Sequence, residues 1–479
     1  MRLDPIRRRR HAATTSWIAW MALGVFSQPA HSATYRVGQG PGCSHASLQA
    51  AIDAAGSRGG ENVIRINSAD LGPGQALHIA GGQFLTLIGG HRDCMDSDIS
   101  VADRTLISGS GNGGMSVFSI QGPGVVSIEN IDIVAGRTNG DGGAIRYRSG
   151  ELAGTVNVLR LRNAVLQSNE ASGNGGALAA STGSQVLAAL YLDENVAFLD
   201  NESTNGGGAI HLSGNMQLEA HGPGLYFHRN RARTGGAVHV QHPARADIGS
   251  EDDGYPVFLY NYASFSGGAV AVVGPQEYSP ATTHVRLFGT RPDAPMSLEH
   301  NAASSRGGTF LISGHRENVI LCAHAVASLS GQAEDGAFAY LDGGSLHQGW
   351  ADECGSLPVH AAPNCRSDRP CDRVEFHATR DSPSGTAATG ALITVAAGGE
   401  ARLQNVLFNT NAQIDEAILR VEGTLQRPAS AWIRQSAFVN NVRTRTTPGA
   451  WFRQHGAATL VVDFSTLRGN HGAAGAPLA

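Results

Sequence analysis

The chain contains no lysine; all 35 of its basic residues are arginine. This excludes any reaction that depends on a lysine base. Charged residues make up only 16% and aromatic residues 6%, the first well below the usual quarter or so. No Cys-x-x-Cys spacing occurs, which argues against a structural zinc site. Helical periodicity of useful length is confined to Ser47–Ala55. No run after the first 26 residues is long and apolar enough to cross a bilayer as a helix.

The N-terminus has its own character. Arg2 and Arg7–Arg10 form a basic region, Trp17–Phe26 is a short apolar stretch, and Ala30-His31-Ser32 offers small residues at the cleavage positions. This predicts a secretory signal peptide over residues 1–32, with a mature chain that starts near Ala33 and holds no transmembrane segment. The arginine run lacks the apolar pair that follows a twin-arginine motif, so the general secretion route is expected. Removing those 32 residues takes away five arginines and one aspartate, moving the formal net charge from -5 to -9. An acidic chain without a basic patch excludes nucleic acid as a partner.

Export makes disulfides possible, and the cysteine count is even: Cys43, Cys94, Cys322, Cys354, Cys365 and Cys371. Cys43 and Cys94 are expected to pair near the N-terminal end. The other four are expected to form two bridges around one long loop, in a connectivity that spacing leaves open.

Glycine is abundant, at 62 residues, and much of it is periodic. An apolar residue, two variable residues and Asn recur at Leu166–Asn169, Phe198–Asn201, Phe227–Asn230, Phe258–Asn261 and Leu298–Asn301. They return at Phe408–Asn411, Phe438–Asn441 and Leu467–Asn470. A second mark, Gly-Gly-Ala and an aliphatic residue, starts at Gly142, Gly175, Gly207, Gly235 and Gly267. It degenerates at Gly307-Gly308-Thr309-Phe310 and Gly336-Ala337-Phe338. The two keep phase: Asn169 to Ala177, Asn201 to Ala209 and Asn261 to Ala269 are each eight residues. Successive Asn positions lie 32, 29, 31 and 40 apart, and later 30 and 29. A third mark sits six residues before some of them, at Asn163, Asn195 and Asn405.

Around the marks the pattern alternates, as in Ile210-His211-Leu212 and Val156–Leu161, so each repeat holds short strands with one buried face. No repeated primed-turn dipeptide joins them into hairpins. They must pair in parallel with the same strand of the next repeat, which makes a solenoid. The fold predicted is all-β, a right-handed parallel β-helix of roughly twelve coils at about 30 residues each, rising about 4.8 Å per coil. The stacked asparagines Asn169, Asn201, Asn230, Asn261, Asn301, Asn411, Asn441 and Asn470 are expected to adopt the left-handed turn conformation and to form an amide ladder. Gly-Gly supplies positive φ at the corner. Ser47–Ala55, with Leu48, Ile52 and Ala55 on one face, is the expected N-terminal cap. The organisation expected is an N-terminal cap and first coils over 33–100, coils over 101–341, a disulfide-pinned loop over 342–386, and C-terminal coils over 387–479.

The alternation of Phe-x-x-Asn with Gly-Gly-Ala-(Ile/Leu/Val) resembles the polymorphic outer membrane protein repeat of chlamydial surface proteins, on a pectin-lyase-like fold. The start resembles other exported β-helix proteins: Cys43, Leu48–Ile52, then Ile88-Gly89-Gly90 and Cys94. The resemblance implies surface display and adhesion. Chlamydial members end in a translocator barrel. Here the repeat runs to Asn470 and the chain stops at Ala479, so periplasmic residence or another route of release is expected.

A β-helix also suggests a polysaccharide-active enzyme. Lyases of the lysine type are excluded, and an arginine base has no motif here. Hydrolases need paired carboxylates on adjacent coils, and Asp132, Asp193, Glu416 and Asp463 read as isolated. The expectation is therefore a non-enzymatic exported binding or adhesion protein, monomeric, whose partner is a glycan or cell-surface component. A lyase or glycoside hydrolase is the alternative, and a structural envelope protein the second. No cofactor is called for. His211 and His239, two after the repeat Ala in successive coils, should stack about 5 Å apart on an outer, solvated face. Arg146 occupies the same position further back, so the three are a candidate ligand patch. Asp93, Asp96 and Asp98 beside Cys94 are the candidate calcium ligands, and Glu251-Asp252-Asp253-Gly254 is a second acidic loop.

Overall fold

A computed structural model describes residues 32–67, 70–95, 103–183, 186–250, 256–289, 296–315, 317–322, 326–329, 332–348, 374–377, 391–404, 406–409, 417–434, 436–439, 451–463 and 465–468. Each coil carries short strands that pair in parallel with their counterparts one repeat away, as the register of the marks requires. A coil runs from its Gly-Gly-Ala into Ile145–Arg148, then Asn157–Arg162, Ala164–Gln167, the ladder Asn169, and the short strand Glu170–Ala171. Stacking produces four sheets. Sheet A (through Asn157–Arg162) has fourteen strands, sheets B (through Ile145–Arg148) and C (through Ala164–Gln167) have twelve each, and sheet D (through Glu170–Ala171) has six. The chain is thus a parallel β-helix solenoid.

Alternating burial follows from the pleat. In Asn157–Arg162 every second residue is buried, and the inward rows form one continuous core from Val37 to Trp451. Phe198, Phe227 and Phe258 stack along it with centroids 5.1 and 4.6 Å apart and nearly parallel rings. Phe408 and Phe438 repeat this at 4.6 Å. Each such pair adds about 0.5–1.5 kcal/mol beyond the burial of its area.

The corner between sheets C and D is held by the asparagines. Asn169, Asn201, Asn230, Asn261 and Asn301 are fully buried. Each Nδ2 donates to a backbone carbonyl of the preceding coil, and from Asn169 to Asn261 it also donates to the Oδ1 of the next asparagine; for Asn201 these bonds are 2.9 and 3.0 Å. The same Oδ1 also accepts from the backbone N–H of the previous ladder residue, as Asn230 does from Asn201 at 3.1 Å. The ladder is as expected, but the left-handed conformation is one residue out. It belongs to the residue before each asparagine: Ser168, Asp200, Arg229, Tyr260 and His300 have φ between 52° and 55°. Turning the chain there leaves the asparagine side chain aimed along the stack. The third mark does take the left-handed turn: φ is 46° at Asn163 and 55° at Asn195, where sheet A passes into sheet C. Asn405, Asn411, Asn441 and Asn470 lie outside the described residues.

In the Gly-Gly step the two glycines have different tasks. The first carries positive φ, 70° at Gly207 and 65° at Gly235. The second does not, but a Cβ there would collide with the carbonyl of the glycine one coil on.

The cap forms as Leu48–Arg58, with Ser47 as N-cap accepting from the Ala50 N–H and with Leu48, Ala51, Ile52 and Ala55 buried. It packs against Ala33–Val37 and Leu77–Ile79. Cys43 and Cys94 are bonded, and the Cα atoms are 5.1 Å apart. Cys322 is disulfide-bonded as well; Cys354, Cys365 and Cys371 lie outside the described residues. Within 342–386 the described residues include two strands of the solenoid, Ser345–Gln348 in sheet A and Val374–His377 in sheet C.

Candidate functional site

The outward row of sheet B contains the expected ligand patch. Register pairs Arg146 with Ala179, Ala179 with His211 and His211 with His239. The two imidazoles do stack, with centroids 5.0 Å apart, and their Nδ1 atoms approach to 3.2 Å. They are not solvated, which corrects the expectation of an exposed pair. His211 is 6% exposed. His239 is half-buried as a residue, yet its Nε2 is enclosed and has no hydrogen-bond partner. The cause is local: the turn carrying Gly206 folds over this face, and a Cβ at Gly206 would collide with the His239 ring. An Nδ1–H···Nδ1 bond needs the accepting ring neutral. Burial lowers the His211 pKa to about 4. Burial, aided by His211, lowers that of His239 to about 3. Arg146 is separated from the pair by Ala179, and its Nε is buried without a partner. These three residues therefore do not form one accessible patch.

Asp93 uses its carboxylate to accept from the Met95 N–H at 2.8 Å. Asp96, Asp98 and residues 251–254 lie outside the described residues. Among the described residues no three His, Cys, Asp or Glu side chains are grouped to hold a metal. The acids read as isolated have arginine partners: Asp132 with Arg104 at 3.0 Å, Asp193 with Arg160 at 3.3 Å, and Asp463 with Arg434 at 4.0 Å. Glu416 lies outside the described residues.

Two surface features were not anticipated. On the outward face of sheet A, register aligns Arg160, Tyr191, Glu219, Asp247 and Arg286 in successive coils. Glu219 and Asp247 are thus carboxylates on adjacent rungs. Both lie ten residues after their repeat alanine, Ala209 and Ala237, a coincidence the sequence displays. Gln217 donates to Glu219 at 2.7 Å. Arg286 donates to Asp247 at 3.0 Å, and His284 lies 3.5 Å from it. Burial pushes the Asp247 pKa up, but the His284 hydrogen bond and the Arg286 and His284 charges outweigh it, so the group lies below its ordinary value.

The second feature is a band of rings beside the asparagine corner. Tyr226 stacks on His228 at 5.6 Å, His228 meets Tyr260 edge-on at 5.7 Å, and Tyr260 stacks on His300 at 4.6 Å. Tyr260 is 49% exposed, and just past the turn Tyr262 and Phe265 are 39% and 46% exposed. Arg233 lies over the Phe265 ring at 5.5 Å. Tyr260 and His300 point outward because they hold the left-handed position before Asn261 and Asn301. The residue preceding the ladder asparagine was the signal that marked them.

Residues 195–213 match the family model of the Chlamydia polymorphic membrane protein repeat, which spans one third-mark Asn, one ladder Asn and one Gly-Gly-Ala. No curated protein and no solved structure is significantly similar to the chain. Among the described residues no helix is long and apolar enough to cross a membrane.

Proposed function

We propose that this β-helix is an exported surface protein that binds a glycan along the ring band at its asparagine corner. The succession of exposed Tyr260 and half-buried Tyr226, His228 and His300 carries the reading. Exposed rings supply flat apolar faces that take the C–H face of a sugar, and imidazoles and Arg229 beside them supply hydrogen bonds. A polymer laid along the stack meets a ring at each of several coils. The match to a repeat named for chlamydial membrane proteins supports a surface setting. Glycan-array binding of the secreted chain tests it: Tyr260→Ala and Phe265→Ala together should weaken binding at least about tenfold, on the scale of a lost aromatic anchor. Unchanged binding, or no glycan bound at all, rejects the reading.

The Glu219–Asp247 rungs favour a second reading, a glycoside hydrolase. Strand spacing of about 4.8 Å is near the roughly 5–5.5 Å carboxyl separation of retaining enzymes. Hydrolysis also needs one acid kept protonated. Asp247 is held ionised by its partners, the state a nucleophile needs, so in this reading Glu219 is the acid. New reducing ends, lost in Glu219→Gln, would favour the hydrolase.

A further inference from the structure

Three polar side chains from three successive coils meet where sheet B passes toward sheet A. His242 follows the sheet B strand Val238–Gln241. Ser279 lies in the loop after Val270–Val273, and Glu317 opens the sheet A strand Glu317–Cys322. None of them occupies a repeat mark. Ser279 Oγ is 2.9 Å from His242 Nε2. The opposite ring nitrogen, Nδ1, is 3.3 Å from the Glu317 carboxylate and 2.9 Å from the Thr283 hydroxyl. The Glu317 side chain is 1% exposed and His242 17%, whereas Ser279 sits half-buried on a loop whose neighbours Gln276, Glu277 and Tyr278 are exposed. The carboxylate fits because Gly274 and Gly314 pass it without a Cβ; a side chain at either would collide with Glu317. The loop is tied to the next coil by the His315 N–H to the Pro275 carbonyl at 2.9 Å and by Gln276 to Ser313 at 3.2 Å.

The geometry points to a serine nucleophile: we infer that Ser279, His242 and Glu317 form an acyl-transfer site for carboxylic esters. A hydroxyl bonded to one imidazole nitrogen, with a buried carboxylate facing the other, is the arrangement that activates serine on unrelated folds. The Ser279 oxygen adds to the ester carbonyl carbon while its proton passes to His242 Nε2. The carbon–alkoxide bond then breaks, and the alcohol leaves with that proton. Water adds to the acyl-serine, its proton again taken by Nε2. The carbon–Ser279 bond breaks, releasing the carboxylic acid and restoring the Ser279 hydroxyl. Glu317 acts through His242 as a positioning residue: its carboxylate, together with the nearer Thr283 hydroxyl, favours the Nδ1–H tautomer. A buried polar staple for the loop would show the same contacts but no reactivity at Ser279, which the test separates.

The test is labelling of the full chain with a fluorophosphonate, whose phosphorus the serine oxygen attacks as fluoride leaves, with the adduct mapped by mass spectrometry. Its companion is hydrolysis of p-nitrophenyl acetate. Ser279 should carry the label, Ser279→Ala should abolish it, and His242→Gln should slow it by about a hundredfold or more. Glu317→Gln should lower kcat by at least about a hundredfold with KM unchanged, because an amide there holds the wrong tautomer. Ser279→Ala changes only a loop hydroxyl, so its folding is secure, and circular dichroism checks the other two. No label, a label at another residue, or equal labelling of Ser279→Ala overturns the proposal. So does a Glu317→Gln variant that loses thermal stability but hydrolyses the ester at the parent rate. The outcome is independent of the glycan reading, which rests on another face.

Discussion

His239 and His242 lie three residues apart on one coil and live in opposite chemical worlds. His239 occupies a strand position under the Gly206 turn, bonded to another neutral imidazole. His242 stands just past the strand end, between a hydroxyl and a buried carboxylate. The strand position is set by the repeat, and here the turn at Gly206 lies over it and leaves little water there. The connection after the strand varies from coil to coil, so it can gather side chains the repeat never specifies. The same contrast separates Asn261, locked in the ladder, from Tyr260, turned outward beside it. The frame of this solenoid and its surface chemistry occupy adjacent residues, and different mutations should report on each.

The largest effect is expected in the frame. Asn230→Ala removes bonds to the Phe198 carbonyl and to Asn261, and strips acceptors from the Asn201 backbone and side chain. Orphaned buried groups cost about 1–3 kcal/mol each, so the loss should be about 3 kcal/mol or more, read as a lower urea midpoint. Phe227→Ala should cost about 3–5 kcal/mol. A loss under 1 kcal/mol for either would break the division.

Next is acid sensitivity at the buried pair. Both imidazoles are neutral in the folded chain and titrate near the ordinary value of about 6.5 once unfolded. Acid therefore protonates the unfolded chain first. The stability the pair contributes is whole above pH 6.5 and is lost as pH falls from there towards about 4, where His211 accepts its proton in place, and on towards about 3, where His239 does. For His211 alone this amounts to about 3 kcal/mol. The double variant His211→Ala, His239→Ala should be milder at pH 7, because Ala179 and Ala271 already occupy this position on the flanking rungs. It should also flatten the stability profile between pH 6.5 and 4. An unchanged slope would place the acid sensitivity elsewhere.

The smallest effect belongs to the corner residue. Tyr260→Asn should leave stability within about 0.5 kcal/mol, since Asn adopts the left-handed turn at less cost than Tyr. It should still reduce glycan binding. A stability loss comparable to that of the ladder residue would show that the ring is part of the frame.

The periodic part of this molecule was readable because stacking forces identical residues into line. The phase of Asn against Gly-Gly-Ala is enough to specify the coils, their parallel pairing and the amide ladder. The Ser47 helix was readable from its own spacing. What failed was orientation within a turn: Asn is the residue type most associated with the left-handed conformation, but in the ladder its neighbour takes that conformation so that the amide can align. The burial of His211 and His239 was invisible because the covering turn comes from another stretch of the coil. The adjacency of Glu219 and Asp247 was legible in their equal offset from the repeat alanine. The meeting of Ser279, His242 and Glu317 was not, since their separations follow from loop lengths with no period.

Urea unfolding of the chain carrying Asn261→Ala, set beside the chain carrying Tyr260→Ala, tests the division of frame from surface most directly, because the two positions are consecutive. The account predicts a midpoint lowered by the equivalent of about 3 kcal/mol for Asn261→Ala and a shift within about 0.5 kcal/mol for Tyr260→Ala. Equal losses at the two positions would contradict it.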